Sequence, residues 1–183
     1  MWPWEHLAVA YAAVSLWFGT TGRRVDTAAV FAVGAGSQFP DLVDKPLAWS
    51  VGVLPSGTAL THSVFIAVPL AVFVWRLAAF RGRAGTGFAF GLAYLLHLPG
   101  DLAYGLLTTG GAVPWSAVLW PLVPAATAGP PAGLLTETAY YLSEYLGYLS
   151  DPRAVPYLLF EAALLSTAAG LWVADGYPGL RAP

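Results

Sequence analysis

The sequence predicts an all-α fold, a polytopic membrane bundle of about five transmembrane helices with re-entrant or interfacial segments. Hydrophobic residues make up 57% of the 183 residues and charged residues only 10%, which is far from the balance of a soluble domain. Eight basic and ten acidic side chains are too few to cover a soluble core of this size. Eight Trp and nine Tyr suit the boundary between hydrocarbon and water. We therefore expect a multi-pass protein of the cell (plasma or inner) membrane, in contact with membrane lipids.

Two short helices are predicted at the start of the chain. The first covers about residues 5–18, and the second covers about residues 26–38. In the second, Gly34 and Gly36 predict close packing against a neighbouring helix. Residues 40–57 are rich in Pro and Gly and are interpreted as a loop with a re-entrant turn.

The remaining chain alternates apolar and broken segments. Residues 61–80 and about 86–107 predict two long helices. Five prolines interrupt residues 108–133, so no continuous helix is expected there. Residues 134–149 are amphipathic and suit an interface, and residues 156–174 predict a last span.

No second domain is indicated. We expect a single integral membrane domain over residues 1–183, with a motif-bearing core at about 5–122. The interfacial helix and last span then occupy about 132–175.

The distribution of positive charge predicts an orientation. Five of the eight basic residues lie in or beside the connections after the first and third helices, which places those connections in the cytoplasm: Arg23, Arg24, Arg76, Arg81 and Arg83. The opposite helix ends then face outside. Four separate segments bring all the histidines and several aspartates to that side: His6, Asp41 with Asp44, His62, and His97 with Asp101.

This convergence predicts a metal site. His97 and Asp101 are four residues apart, so on a helix both face the same way and can bind one ion. Asp41 and Asp44 are carboxylates close to hydrocarbon, which is costly unless they are paired, hydrogen-bonded or metal-bound. The chain has no cysteine, so its metal ligands would be nitrogen and oxygen.

Hydroxyl groups flank the remaining histidine of this set. His62 lies between Thr61 and Ser63, whose hydroxyls can orient it or its neighbours.

Each of these residues also has a plainer interpretation. His6 beside Glu5 can be an interfacial residue that caps the first helix. Asp44 can pair with Lys45, and Asp41 can cap a turn. The other histidines can make structural hydrogen bonds between packed helices. The convergence of all three histidines on one side favours the metal site over these separate interpretations.

Five motifs follow one another along the first two thirds of the chain: His6; Pro40-Asp41-Leu42-Val43-Asp44; Thr61-His62-Ser63; Leu95-Leu96-His97-Leu98-Pro99-Gly100-Asp101; and Thr109-Gly110-Gly111-Ala112-Val113-Pro114 with Trp120-Pro121. In this order they resemble the YdjM-like inner-membrane metal-dependent hydrolases, over about residues 5–122. Two features depart from the family's usual pattern. Asp44 follows Asp41 one position later than usual, and Gly57-Thr58-Ala59 stands where the family often has His-Arg-Gly.

The resemblance implies a membrane-bound hydrolase whose His and Asp residues hold a divalent metal. We expect His6, His62, His97, Asp41 and Asp101 as metal ligands, and Asp44 as the general base. Three imidazoles with carboxylates suit zinc best, with manganese or iron as alternatives, and a two-metal centre is a further alternative.

A site at the membrane interface predicts a lipid or lipid-linked ester or phosphoester as substrate. A transporter or metal-ion binding protein would also gather His and Asp residues inside a bundle, and a non-enzymatic structural membrane protein is the third alternative. A net charge of −2 gives no sign of a nucleic-acid partner.

Overall fold

The computed structural model describes residues 1–109, 113–125 and 130–180, apart from the side chains of 107–109. Within these ranges it has seven α-helices and no strand, which confirms the all-α class. The helices are α1 (Pro3–Thr20), α2 (Thr27–Pro46), α3 (Val64–Phe80), α4 (Ala84–Thr109), α5 (Trp115–Leu119), α6 (Leu134–Leu149) and α7 (Val155–Ala174).

Among the described residues, one helical stretch is long and apolar enough to cross a membrane. It is Pro152–Ala174, which includes α7, and Val64–Phe80 is apolar but shorter. The expected number of about five spans is therefore not confirmed.

The loop predicted for residues 40–57 is wrong in its first part. Helix α2 continues through Pro40 to Pro46, and a π-helical turn, Leu47–Val51, follows it. Proline is a strong signal for the end of a helix because it lacks an N–H group. The Thr61 hydroxyl donates to the Pro40 carbonyl oxygen at 3.1 Å and so joins this part of α2 to the turn before α3.

The true end of this segment is at Gly52, whose φ of 73° lies in the left-handed region that glycine adopts readily. Asp41 and Asp44 are consequently part of α2 rather than beyond its end.

The other helices lie close to their predicted bounds. Helix α3 begins at Val64 rather than at residue 61, because the Ser63 side chain caps it by accepting from the Phe65 N–H at 3.3 Å. His62 therefore lies in the turn before α3. The Thr109–Pro114 motif includes residues 110–112, which lie outside the described residues.

Helix α4 is the centre of the bundle and packs against α1, α2 and α3. At two of these helix contacts, a glycine allows the two backbones to come very close. A Cβ on Gly36 of α2 would lie 2.4 Å from the Phe90 carbonyl oxygen of α4, and a Cβ on Gly87 of α4 would lie 2.6 Å from the Ala78 Cβ of α3. The packing role predicted for Gly36 is confirmed, whereas a Cβ on Gly34 would meet nothing within 4 Å.

Helix α7 is joined to the bundle by buried polar groups. Tyr157 of α7 donates a hydrogen bond of 2.5 Å to Glu5 of α1. Glu161 of α7 accepts from the indole N–H of Trp4 at 2.6 Å and from the hydroxyl of Tyr145 in α6 at 3.1 Å. Most of the remaining surface of α7 is exposed and apolar.

The close approach of α2 to α4 predicts a large effect of one methyl group. Gly36→Ala should lower the free energy of unfolding by about 1–3 kcal/mol, because its Cβ collides with a backbone carbonyl that cannot rotate away. Thermal unfolding of the detergent-solubilised protein measures this as a lower Tm.

Gly34→Ala is the matched control, two residues earlier on the same helix. Open space surrounds that position, so the change should leave stability unchanged or raise it by about 0.5–1 kcal/mol. Equal Tm values for the two variants would contradict the packing argument.

Candidate metal centre

Four side chains from three parts of the fold meet at one end of the bundle. Asp41 of α2, His62 of the turn before α3, and His97 and Asp101 of α4 each offer one nitrogen or oxygen atom. These four atoms, called the four-atom group below, lie within 4.8 Å of one another. The sequence prediction that separate segments bring these residues together agrees with this geometry.

Five of the six distances within the four-atom group are close to the edges of a tetrahedron around an ion. The two histidine Nε2 atoms are 3.2 Å apart. Asp101 Oδ2 lies 3.3 Å from His97 Nε2 and 3.5 Å from His62 Nε2, and Asp41 Oδ1 lies 3.7 and 3.5 Å from the same two nitrogens. A tetrahedron with ligand distances of about 2.0–2.1 Å has edges of about 3.3–3.4 Å.

The hydrogen bonds behind the two histidines leave the centre rich in lone pairs. His62 Nδ1 lies 2.9 Å from Asp44 Oδ2, and His97 Nδ1 lies 2.7 Å from the Ser37 carbonyl oxygen. Both outer partners are acceptors, so in the neutral rings Nδ1 carries the proton and Nε2 has a free lone pair. The two Nε2 atoms then face each other and two carboxylate oxygens, an arrangement that a cation stabilises.

Asp41 supplies independent support for an ion at this place. Its Oδ1 is buried and has no hydrogen-bond partner, and a buried carboxylate oxygen without a partner is costly. Its Oδ2 lies 2.5 Å from Lys45 Nζ, one helical turn later. The structure therefore pairs Lys45 with Asp41, and the alternative pairing of Lys45 with Asp44 is wrong.

Asp44 orients His62 from behind. Its fully buried carboxylate accepts from the backbone N–H groups of Ala59 and Thr61, at 3.0 Å for the shorter contacts, and from the Thr61 hydroxyl at 2.7 Å. It also accepts from the backbone N–H of His62 at 3.3 Å, and its Oδ2 contacts His62 Nδ1. Such an outer carboxylate fixes the tautomer and direction of a metal-binding histidine.

His6 lies beside the four-atom group rather than in it. Its Nε2 is 3.0 Å from Asp101 Oδ1, the oxygen that faces away from the other histidines, and the backbone nitrogen of Met1 is 2.5 Å from the same oxygen. The His6 ring stacks on His97, with centroids 3.6 Å apart and planes 10° apart. The role of His6 as a metal ligand stays a prediction.

The charged surroundings change how His62 titrates. Burial alone would lower the pKa of His62, but the carboxylates of Asp101, Asp41 and Asp44 raise it to about 10. Without a metal, a proton is therefore held at His62 well above neutral pH.

The sequence alone did not assign a role to two contributors to the site. The Ser37 carbonyl oxygen is a backbone group, so no residue type marks it. The Tyr94 hydroxyl donates to the Thr61 carbonyl oxygen at 2.6 Å and holds the turn that carries His62. In the sequence, Tyr94 is marked only by its position one helical turn before His97.

Comparison with known proteins gives one finding. A family model described as YdjM inner membrane protein matches residues 1–174, a range that includes the whole four-atom group. No curated protein and no solved structure matches the chain.

The raised pKa of His62 predicts a steep pH dependence of metal binding. A metal must displace the proton on His62, so zinc affinity should rise about tenfold per pH unit for that one proton. The rise should continue through about pH 8.5, whereas an ordinary histidine with a pKa near 6.5 stops contributing above about pH 7.5. Competition with a chelator of known pH dependence measures this, and a flat affinity above about pH 7.5 would contradict it.

The contact between Asp44 and His62 predicts an effect of a residue that does not itself touch the ion. Asp44→Asn should lower zinc affinity by about 10–100-fold, because the amide removes the charge and can donate to Nδ1, which turns the ring to the wrong tautomer. Asp26→Asn is the matched control. Asp26 also accepts a backbone N–H, that of Ala29 at 2.7 Å, but it lies at the start of α2. Equal affinities in the two variants would show that Asp44 does not orient the site.

Proposed function

Since the chain belongs to the YdjM inner membrane protein family, we propose that it is a membrane-bound, metal-dependent hydrolase. Its substrate in this proposal is an ester or phosphoester of a lipid or lipid-linked molecule. The observation that carries the proposal is the four-atom group, with its tetrahedral spacing and its buried Asp41 oxygen without a partner.

The donor set fits a divalent ion. Asp41, Asp44 and Asp101 bring three negative charges to the site, and two cationic groups pair with them: Lys45 with Asp41, and the N-terminal amine of Met1 with Asp101. The donor set is therefore net negative before any ion binds, and two neutral imidazoles add further ligands for a divalent ion. Zinc suits this set best, and manganese and iron are alternatives. Such an ion would polarise the scissile group and lower the pKa of a water.

Access to the site is through its carboxylates. The side chain of Asp101 is 23% exposed and that of Asp41 is 10% exposed, whereas His62 and His97 are almost completely covered. A substrate therefore approaches from the side of Asp101. The two histidines form the buried side of the site.

Asp101 and His6 are placed to move a proton. Asp101 directs Oδ2 toward the four-atom group and Oδ1 toward His6 Nε2. We assign to this pair the uptake of the proton that water loses as its oxygen bonds to the carbonyl carbon or phosphorus. The same pair then returns the proton to the leaving oxygen when the ester bond breaks.

The role expected for Asp44 as general base stays a prediction. The contacts favour a positioning role instead, because both of its oxygens are occupied by hydrogen bonds and its exposed fraction is 0%. Lys45 has a comparable role toward Asp41. It fixes Oδ2 and leaves Oδ1 directed at the two histidines.

The multi-pass arrangement is also part of this proposal. We place α1, α2, α3, α4 and α7 across the membrane with the metal centre near one surface. The basic residues Arg23, Arg24, Arg81 and Arg83 follow α1 and α3 at the opposite end of the bundle, which the positive-inside rule assigns to the cytoplasm.

The apolar core beneath the site argues against a transport path. Between the four-atom group and the arginine end, α1, α2 and α4 bury Val14, Val33, Ala89 and Ala93 against one another. A transport pathway would need polar groups or water there. The hydrolase is therefore preferred over the transporter.

Hydrolysis is tested with the purified full chain in lipid vesicles. Zinc-loaded wild-type protein should release fatty acid from phosphatidylglycerol or inorganic phosphate from phosphatidic acid. Asp101→Asn should lower that rate by about 100-fold or more, because a ligand of the proposed ion and the carboxylate that takes up the proton are lost together.

Asp151→Asn is the control, an exposed carboxylate that caps the short helical turn before α7, and it should keep full activity. If wild-type protein binds zinc stoichiometrically and cleaves neither ester nor phosphoester bonds, the hydrolase proposal is wrong.

A further inference from the structure

A half-enclosed cleft of about 250 Å³ lies between α1, α4 and α7, next to the metal centre. Val9 of α1, Leu96 and Ala103 of α4, and Phe160 of α7 line its walls, and Gly100 of α4 lies at the end near His6. We name it the acyl cleft, and we propose that it holds one hydrocarbon chain of a membrane lipid. The assignment of that lipid as substrate rests on the proposed function.

The cleft exists because α7 and α4 are not packed together along their length. Helices α4 and α7 both pack against α1. Helices α4 and α7 meet where the rings of Tyr104 and Tyr157 lie 5.9 Å apart. The cleft is the gap beside that contact.

The chemistry of the cleft selects an apolar occupant. Its surface is almost entirely carbon, because the carboxylate of Glu5 is turned away and accepts from Tyr157 and from the Trp2 backbone N–H. A polar or charged ligand would lose its hydration without gaining a partner. A hydrocarbon chain has no hydration to lose, and such chains are already present in the surrounding membrane.

The cleft is continuous with the surface that faces lipid. Its outer wall is formed by α7, the helix that is long and apolar enough to span a membrane and that is mostly exposed. Phe160 on that wall is 47% exposed, so it borders both the cleft and the outer surface. A lipid chain can therefore enter sideways from the bilayer.

The size of the cleft suits a single chain. Its walls run from Leu96 to Tyr104 on α4, which is about 12 Å along the helix axis. Its volume is just below the range of about 300–1,000 Å³ that is typical of pockets for drug-sized ligands. Two chains, or a whole lipid, would not fit.

The near end of the cleft is one side chain away from the metal centre. A Cβ on Gly100 would lie 2.8 Å from Met1 Sδ and 3.3 Å from His6 Nδ1, and His6 contacts Asp101 on its other side. A chain in the cleft would therefore bring its ester or phosphoester end toward Asp101. The short distance between the cleft and Asp101 would select lipids in which a hydrocarbon chain lies next to the bond that is cleaved.

Photochemical labelling tests the cleft without relying on hydrolysis. The probe is a vesicle of phosphatidylglycerol doped with a phosphatidylcholine that carries a diazirine in one acyl chain. After irradiation of the reconstituted full chain, mass spectrometry should find adducts on Leu96 and Ala103. In Ala103→Phe the adduct on Leu96 should fall about tenfold, because the added ring occupies the space where the chain is buried.

Ala169→Phe is the matched control, the same change at an exposed position of α7 away from the cleft, and labelling of Leu96 should be unchanged. Phe160→Trp narrows the cleft from the opposite wall. It is the alternative blocking variant if Ala103→Phe does not fold. Labelling spread evenly over the outer face of α7, with no decrease in either cleft variant, would overturn the proposal.

The same labelling in Asp101→Asn separates the two proposals. Adducts in the cleft of this variant support chain binding even if no hydrolysis is ever found. Their absence from a folded, hydrolytically active wild-type protein would refute the cleft and leave the hydrolase standing.

Discussion

The buried carboxylate of Asp44 holds the end of α2 against the turn that precedes α3. It accepts hydrogen bonds from Ala59, Thr61 and His62, which come from a different part of the chain. A buried carboxylate is stable only when its lone pairs are used, so the turn must adopt the one conformation that supplies these donors. That conformation directs His62 Nε2 toward the metal centre. The position of His62, and with it the four-atom group, thus depends on this interaction.

The same end of α2 shows where the sequence prediction failed. The convergence of Asp41, His62, His97 and Asp101 was predicted from the chain alone, because three histidines with aspartates fell on one side of a topology set by arginines. The continuation of α2 past Pro40 was not predicted, because a proline is typical of the end of a helix. The segment of α2 that continues past Pro40 is held to the turn before α3 by contacts that are distant in sequence, among them the Thr61 hydroxyl on the Pro40 carbonyl oxygen. A prediction of helix ends from a few neighbouring residues does not include contacts between distant parts of the chain.

Correcting the helix also explains why both acidic residues of α2 can serve one site. In a helix, Asp41 and Asp44 are three residues apart and share one face. Asp41 points at the centre and Asp44 supports His62 from behind. The division of roles between these two carboxylates could not be predicted, because it depends on which oxygen meets a backbone N–H. The place of His6 was missed for a similar reason, since ring stacking on His97 leaves no mark in the sequence.

Helix α4 joins the chemistry of the centre to the lipid environment. His97 and Asp101 occupy one of its faces, and Leu96, Gly100 and Ala103 occupy the adjacent one, one or two residues away along the chain. Because neighbouring residues on a helix differ by about 100° in direction, the two sets lie side by side along the same axis. A chain lying along the second face therefore runs parallel to the ligands on the first. In the proposed arrangement, the register of α4 alone therefore sets the distance between a lipid chain in the acyl cleft and the four-atom group.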